Sequence, residues 1–366
     1  MGPIRVLQMI GSLNMGGSQT MIMNLYRKID KGQIQFDFIL DHEDGNFFVE
    51  EARALGARIF HMPIYNGKNF LTVKKAWTNF FIEHPEYKIL HSHVRSYASL
   101  YLPIAKKYGV RTIIHSHSTS NGKGIKSFFK KILQFPIRYQ ADYFFGCSVE
   151  AGNWLFGKKI VRSDKYFMLQ NAIDVEEYKF NTEIREKYRK DLGLKTDDLT
   201  FIHVGRFHPA KNHPFLLELF AEIHKKNKKS KLLIVGDGEL RNEIERKIVD
   251  LDIKADVILT GSRSDVPELL MAADCFLFPS NWEGLPVTVV EAQASGLPCL
   301  ISDKVTRDVN VTSLVKYLPI NSGVEPWVET VDSLNYERKN VLEFICDSGF
   351  DISTTAKWLV RFYEGI

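Results

Sequence analysis

Short apolar runs alternate with amphipathic stretches along nearly the whole chain, and this alternation limits the fold more than any other feature. IRVLQMI, FDFIL, ARIFHM, YKILHS, RTIIHS and DYFFGC follow one another between residues 4 and 147, with helical patterns between them. The first of those helices is predicted over about Gln19 to Ile29. Short apolar runs of this kind suit strands covered on both faces, and repeated strand–helix units build a doubly wound parallel sheet. After KYFMLQNAIDVEEYKF and the charged, helix-prone EIREKYRKDLG, the alternation restarts near Leu199 with LTFIHVG, SKLLIVG, DVILTG, DCFLFP and LPCLIS. The expectation is an α/β chain with two Rossmann-like domains, at 1–170 and 199–349, joined by a linker region at 171–198. A C-terminal amphipathic helix at 350–366 has a return to the first domain as one option. A cleft between two such domains would face the carboxyl ends of both sets of strands.

Composition removes several function classes. The 366 residues are 45% hydrophobic and 25% charged, an ordinary globular balance, and the net charge of +4 is too small to imply nucleic acid. Cys147, Cys275, Cys299 and Cys346 are scattered without a C-x-x-C pair, which favours a reducing compartment and argues against a zinc ribbon. No charged-then-apolar leader opens the sequence, and no apolar run approaches the roughly 20 residues of a bilayer span. A cytoplasmic protein is expected.

GSLNMGGSQT, Gly11 to Thr20, follows the first strand. As G-x-x-x-x-G-G-S it comes close to a phosphate loop, but Gly17 stands where the lysine would be. Leu13 stands where a dinucleotide fingerprint needs its second glycine. The loop permits close approach, and its cation must come from elsewhere. HVGRFHPAKNH supplies two candidates: Arg206 just past a strand and Lys211 five positions later, placed where a diphosphate leaving group would gather charge.

The most informative segment is PSNWEGLPVTVVEAQASGLP, Pro279 to Pro298. Glu283 falls in a loop after a strand, Pro286 at a helix start, and Glu291 inside that helix. The amides of Leu285, Val287 and Thr288 and the helix dipole favour an anion such as a pyrophosphate. The two carboxylates suit hydroxyls, as on a sugar and a ribose.

Taken together, the E-x7-E of Glu283 and Glu291, the GR with its following lysine, the N-terminal GG and the QNAID after the first domain resemble the retaining glycosyltransferases of family 4, which have the two-domain GT-B fold. The most similar members belong to bacterial capsule, exopolysaccharide and lipopolysaccharide assembly. The resemblance implies that Glu283 contacts hydroxyls of the transferred sugar and Glu291 the nucleotide ribose, while Arg206 and Lys211 hold the diphosphate in place of a metal. It implies that Gly16 and Gly17 lie against phosphates and acceptor. VGDGEL, with Gly236, and TGSRSD, with Gly261, Ser262 and Arg263, match loops near the nucleotide. Leu285, Pro286 and Val287 complete the donor side. A histidine at the end of an N-terminal-domain strand helps position the sugar. Three positions depart from the pattern: Gln19 for a glutamate, Ala172 for the glycine of NGID, and Pro286 for a glycine. The first bears on the acceptor.

HSH occurs twice, as His91/His93 and His115/His117, and alternation along a strand points both members of a pair the same way. His117, followed by a loop, is preferred for the sugar-positioning role, with His115 as the alternative; Gln19, His93 and His115 are acceptor-side candidates. Partly buried, backbone-bonded histidines are the plain alternative. The implied donor is a nucleotide-diphosphate sugar, a UDP-sugar first, and the implied acceptor a glycan or polyprenyl-linked glycan. No cofactor is expected. Asp250 to Asp252 resembles a metal-binding D-x-D but closes a helix rather than a strand, so no metal is assigned there. Residues 121–140 carry Lys123, Lys126, Lys130, Lys131 and Arg138 interleaved with Phe128, Phe129, Ile132, Leu133 and Phe135, and contain no acid. That composition suits either an anionic membrane surface or a core-facing helix with a solvated basic face. Rival activities are an epimerase or hydrolase on the same fold, a silent nucleotide-sugar binding module, and a metal-dependent hydrolase using the HSH pairs.

Overall fold

A computed structural model describes residues 2–14, 16–42, 47–117 and 125–366, with backbone only for 125–129. The chain divides into two compact units, residues 1–172 with 352–366, and residues 173–351.

Unit 1 contains a seven-stranded parallel sheet: β1 (Ile4–Met9), β2 (Ile34–Leu40), β3 (Ile59–His61), β4 (Ile89–Ser92), β5 (Arg111–Ser116), β6 (Tyr143–Gly146) and β7 (Tyr166–Met168), in the spatial order β3-β2-β1-β4-β5-β6-β7. β2 is buried along its whole length, Gln35 and Asp37 included, as a strand between two helical layers is. The helix Ile352–Glu364 packs against Gly17–Lys28, and its Ile352, Ala356, Leu359, Val360 and Tyr363 join the core formed by Val6, Phe36 and Phe38. The strand order reverses direction between β1 and β4, so the loops leaving those two strands diverge and open a crevice.

Unit 2 repeats the arrangement with six parallel strands: β8 (Leu199–Val204), β9 (Ser230–Val235), β10 (Val257–Gly261), β11 (Cys275–Phe278), β12 (Cys299–Ser302) and β13 (Val315–Leu318). Their order is β10-β9-β8-β11-β12-β13, and the reversal falls between β8 and β11. Residues 173–198 belong to this unit; their helix Thr182–Asp191 packs against Val266–Ala272. All four cysteines are free thiols. Among the described residues, no helix is long and apolar enough to cross a membrane.

Candidate active site

In unit 2 the loops leaving β8 and β11 meet where the strand order reverses. Asn281 donates its backbone amide to Ala210 O at 2.8 Å and its side-chain amide to Pro209 O at 3.0 Å, while Asn212 donates to Pro279 O at 3.2 Å. These bonds staple the PAK turn to the PSNWEG loop. As a result, Lys211 Nζ comes 2.8 Å from Glu283 Oε1, with both side chains largely enclosed. Lys211 closes a short 3-10 turn, Pro209–Lys211, and the next helix begins only at His213. Its Nζ also lies 4.6 Å from the centre of the Phe278 ring.

Gly205 has a defined purpose beside it. A Cβ at Gly205 would stand 2.9 Å from Lys211 Cε, so a side chain there would push the lysine from its present course along the loop. Gly236, at φ +142°, has a stricter one: a Cβ there would lie 2.1 Å from the carbonyl oxygen of Gly205. The ladder runs on past the strands through Gly205 N to Val235 O and Gly236 N to Gly261 O, both at 2.9 Å. Gly205, Gly236 and Gly261 thus share one rim.

Arg206 stands on this rim with its side chain 72% exposed and meets Glu239 at 3.3 Å, a contact that solvent screens and a ligand can replace. Arg263 pairs instead with Asp265 at 2.7 Å, and Ser262 precedes it in an exposed loop. Pro286 occupies the position just before the helix Val287–Ala294 rather than its first turn, in extended conformation, and no side chain caps that end. The first-turn amides, those of Val287 and Thr288 among them, have no acceptor within the helix. The Ser280 and Thr288 hydroxyls beside that start are buried without a hydrogen-bond partner. A polar guest is what such groups require.

Glu291 sits one turn further along and accepts a hydrogen bond from Tyr178. Burial pushes its carboxyl up to about 7, against a smaller downward pull from that hydroxyl. The tyrosine answers with a raised pKa of its own, through burial first and then the nearby carboxylate.

In unit 1 the four histidines gather at the carboxyl ends of β4 and β5. His93 Nδ1 is 2.8 Å from His117 Nε2, and His93 Nε2 is 2.9 Å from Gln8 Oε1. Since the Gln8 oxygen only accepts, His93 carries its proton on Nε2, and His117 therefore donates from Nε2. Tyr363 OH lies 2.7 Å from His91 Nδ1 and also receives Gln8 Nε2 at 3.4 Å. Burial, ahead of the charge on Arg95, lowers His117 to about 3, so it works as a neutral ring. Gly16 precedes the helix that starts at Gly17, and Gln19 folds back until its Oε1 would meet a Cβ on Gly16 at 2.6 Å.

A cavity of about 760 Å³ opens beside His93, also lined by Gly11, Asp41, Tyr65, Arg95 and Tyr97. Asp41 accepts from the Tyr97 hydroxyl with one oxygen, while the other is buried without a hydrogen-bond partner. Asp41, Tyr97, Gln8, Tyr178 and Tyr363 escape a reading of the sequence, although a lone glutamine inside the apolar run IRVLQMI was a usable signal.

The comparisons decide the family. The N-terminal half, residues 15–177, matches the sequence model described as Glycosyltransferase Family 4, and residues 184–334 match Glycosyl transferases group 1. A Bacillus subtilis protein named as a glycosyltransferase, EpsF, is 34% identical over 98% of this chain and 96% of its own length. The chain belongs to the family 4 glycosyltransferases. Among other relatives of this transferase, the Escherichia coli UDP-Gal:alpha-D-GlcNAc-diphosphoundecaprenol alpha-1,3-galactosyltransferase is 29% identical over 73% of the chain and 72% of its own length. The solved structure of Anabaena Alr3699/HepE in complex with UDP and glucose superposes with a TM-score of 0.75 at 15% identity, covering 99% of this chain and all of that one. That likeness establishes the GT-B fold for the transferase.

In the segment 121–140, residues 121–124 and the side chains of 125–129 lie outside the described residues, which takes in Lys123, Lys126, Phe128 and Phe129. Beyond them Lys130, Lys131, Ile132, Phe135 and Tyr139 are exposed, and Arg138 lies 4.6 Å from the centre of the Phe135 ring.

Proposed function

We propose that this glycosyltransferase moves a sugar from UDP to a hydroxyl of a glycan or polyprenyl-linked glycan, in the building of a bacterial surface polysaccharide, with retention at the anomeric carbon. The Lys211–Glu283 pair at the strand-order reversal of unit 2 carries this reading, because it sets a cation and a hydroxyl acceptor side by side. A relative whose name specifies UDP-Gal and a diphosphoundecaprenol acceptor supports it, as does a UDP complex of the same fold.

In the proposed reaction the bond from the anomeric carbon to the β-phosphate oxygen breaks. The acceptor oxygen bonds to the same face of that carbon, and its proton passes to the departing phosphate. Arg206 and Lys211 stabilise the charge that gathers there, together with the amides at the start of Val287–Ala294 and the backbone at Leu285. Glu283 accepts from hydroxyls of the sugar and Glu291 from the ribose. Gly236, Gly261, Ser262 and Arg263 border the base, Gly16 and Gly17 approach the phosphates, and His117 orients the sugar. No protein nucleophile and no metal enter the step.

Exposed Ile132, Phe135 and Tyr139 beside Lys130 and Lys131 support a membrane-facing role for that segment, fitting a lipid-linked acceptor. Incubation with labelled UDP-sugars and a polyprenyl-diphosphate glycan in EDTA tests the reading. Label transferred to the lipid supports it. Label released as free sugar without an acceptor identifies a hydrolase, and activity abolished by EDTA sinks the metal-free mechanism.

A further inference from the structure

At the carboxyl ends of β4 and β5 the molecule stacks imidazoles that have fewer partners than nitrogens. His91 gives Nδ1 to Tyr363, and its Nε2 is buried with no partner. His115 is fully buried; the backbone at Leu169 acts on one of its nitrogens, and neither nitrogen has a well-formed hydrogen bond. A neutral imidazole carries one N–H and one lone pair, so with Leu169 beside the N–H, His115 still encloses an unmet lone pair next to the unmet Nε2 of His91. Such a pair of unmet groups in a folded interior points to a missing guest.

One nitrogen from each of His91, His93 and His115 lies within 4.8 Å of the other two. We propose that these three histidines form a binding site for a borderline transition-metal dication of the zinc class, separate from the transfer chemistry. Imidazole lone pairs are preferred ligands of such ions, and three of them leave a fourth position for water. Ligand nitrogens in a tetrahedral zinc site stand about 3.3 Å apart, so the nitrogens need to draw together by at most roughly 1.5 Å on binding. Tyr363 then serves as the outer partner that fixes the tautomer of His91, with Nδ1–H directed to the phenol oxygen and Nε2 to the metal.

His93 engages a metal only by giving up one of its present bonds, to Gln8 or to His117. Metal binding therefore perturbs the orientation of His117 and inhibits transfer, a consequence that rests on the sugar-positioning role proposed above. Titration of the full-length chain with Co²⁺ reads the site directly. The expected result is ligand-field absorption of a four-coordinate cobalt that saturates at one ion per chain and is displaced by Zn²⁺. The band is lost in His91→Gln and His115→Gln and persists in His117→Gln and Lys211→Ala. Melting curves of both ligand variants separate loss of the site from loss of the fold. Absence of the band in the wild-type chain, or a band indifferent to replacement of His91 and His115, overturns the proposal and leaves water as the guest. The inhibition arm compares zinc dose–response curves, expected to shift at least tenfold to higher metal in His91→Gln. Metal binding with unchanged turnover would leave the site standing and remove His117 from the reaction.

Discussion

Lys211 and Glu283, 72 positions apart in sequence, meet at 2.8 Å because two loops at the reversal of one parallel sheet are stapled together. Lys211→Met removes the cation and leaves a largely enclosed carboxylate without it. Turnover is expected to fall on the order of 10²–10³-fold, as for other preorganised charge-stabilising groups. Lys211→Arg should not restore it, because the lysine stem lies where a Cβ on Gly205 would be 2.9 Å away and a guanidinium has no comparable berth. Since the two groups act as one, Lys211→Met with Glu283→Gln should cost less than the sum of the single changes. Steady-state kinetics beside melting curves check all three.

With Glu291 at the ribose, as proposed, nucleotide binding should depend on pH. Burial pushes the Glu291 carboxyl up to about 7, and a ribose diol donates more strongly to the ionised form, so binding UDP should release a proton and tighten as pH rises from 6 to 8. Calorimetry at pH 6.5 in two buffers of different ionisation enthalpy reads the release directly. Binding heats independent of buffer would remove Glu291 from the ribose.

The same group affects stability with a definite sign. Its folded pKa is raised above the ordinary value of 4.5, so the folded state holds the proton more tightly. The stabilisation is complete below pH 4.5 and is lost as pH rises through 7. Glu291→Gln should flatten that arm of a melting-temperature profile.

Tyr363→Phe deletes the hydroxyl shared by His91 and Gln8. A loss of about 1–2 kcal/mol is expected from denaturant unfolding. If Gln8 orients His117 through His93, turnover falls while the affinity for UDP does not. A parallel loss of both would make the tyrosine merely structural.

Arg338 reaches the carboxyl ends of two helices in unit 2. It donates to Leu270 O and Met271 O, each at 2.9 Å, and also to Ala273 O and Ser295 O. These carbonyls lie at the ends of Val266–Ala272 and of the helix carrying Glu291. Arg338→Met keeps the stem but strands the carbonyls, at an expected cost of about 3–5 kcal/mol, measured by denaturant unfolding.

The sequence was readable where one physical signal dominated. Strands such as β2 and β12, mostly apolar and buried at every position because both faces are covered, stood out from their runs alone. β7 and β13 did not: both are edge strands of three or four residues without a single fully buried position, so no unbroken apolar run marks them. In the candidate site, Glu283, Glu291, Arg206 and Lys211 carry chemistry at a recognisable spacing. Tyr178 and Tyr363 do not, because each matters through one contact made over a long loop of chain, and no local pattern encodes that. Asp37, inside the apolar FDFIL, is the same kind of signal as Gln8: a buried polar residue in a core strand marks a partner elsewhere, here Arg5 and Tyr87.

The return of residues 352–366 to unit 1 sets an order of events during synthesis. Unit 2 is one continuous stretch and can close its core as soon as residue 351 has emerged. Unit 1, although its strands are translated first, lacks Ile352, Ala356, Leu359, Val360 and Tyr363 until the helix Ile352–Glu364 arrives, so the face of Gly17–Lys28 that this helix covers stays open until then. The half of the enzyme made first is completed last, and His91 receives its tyrosine only then.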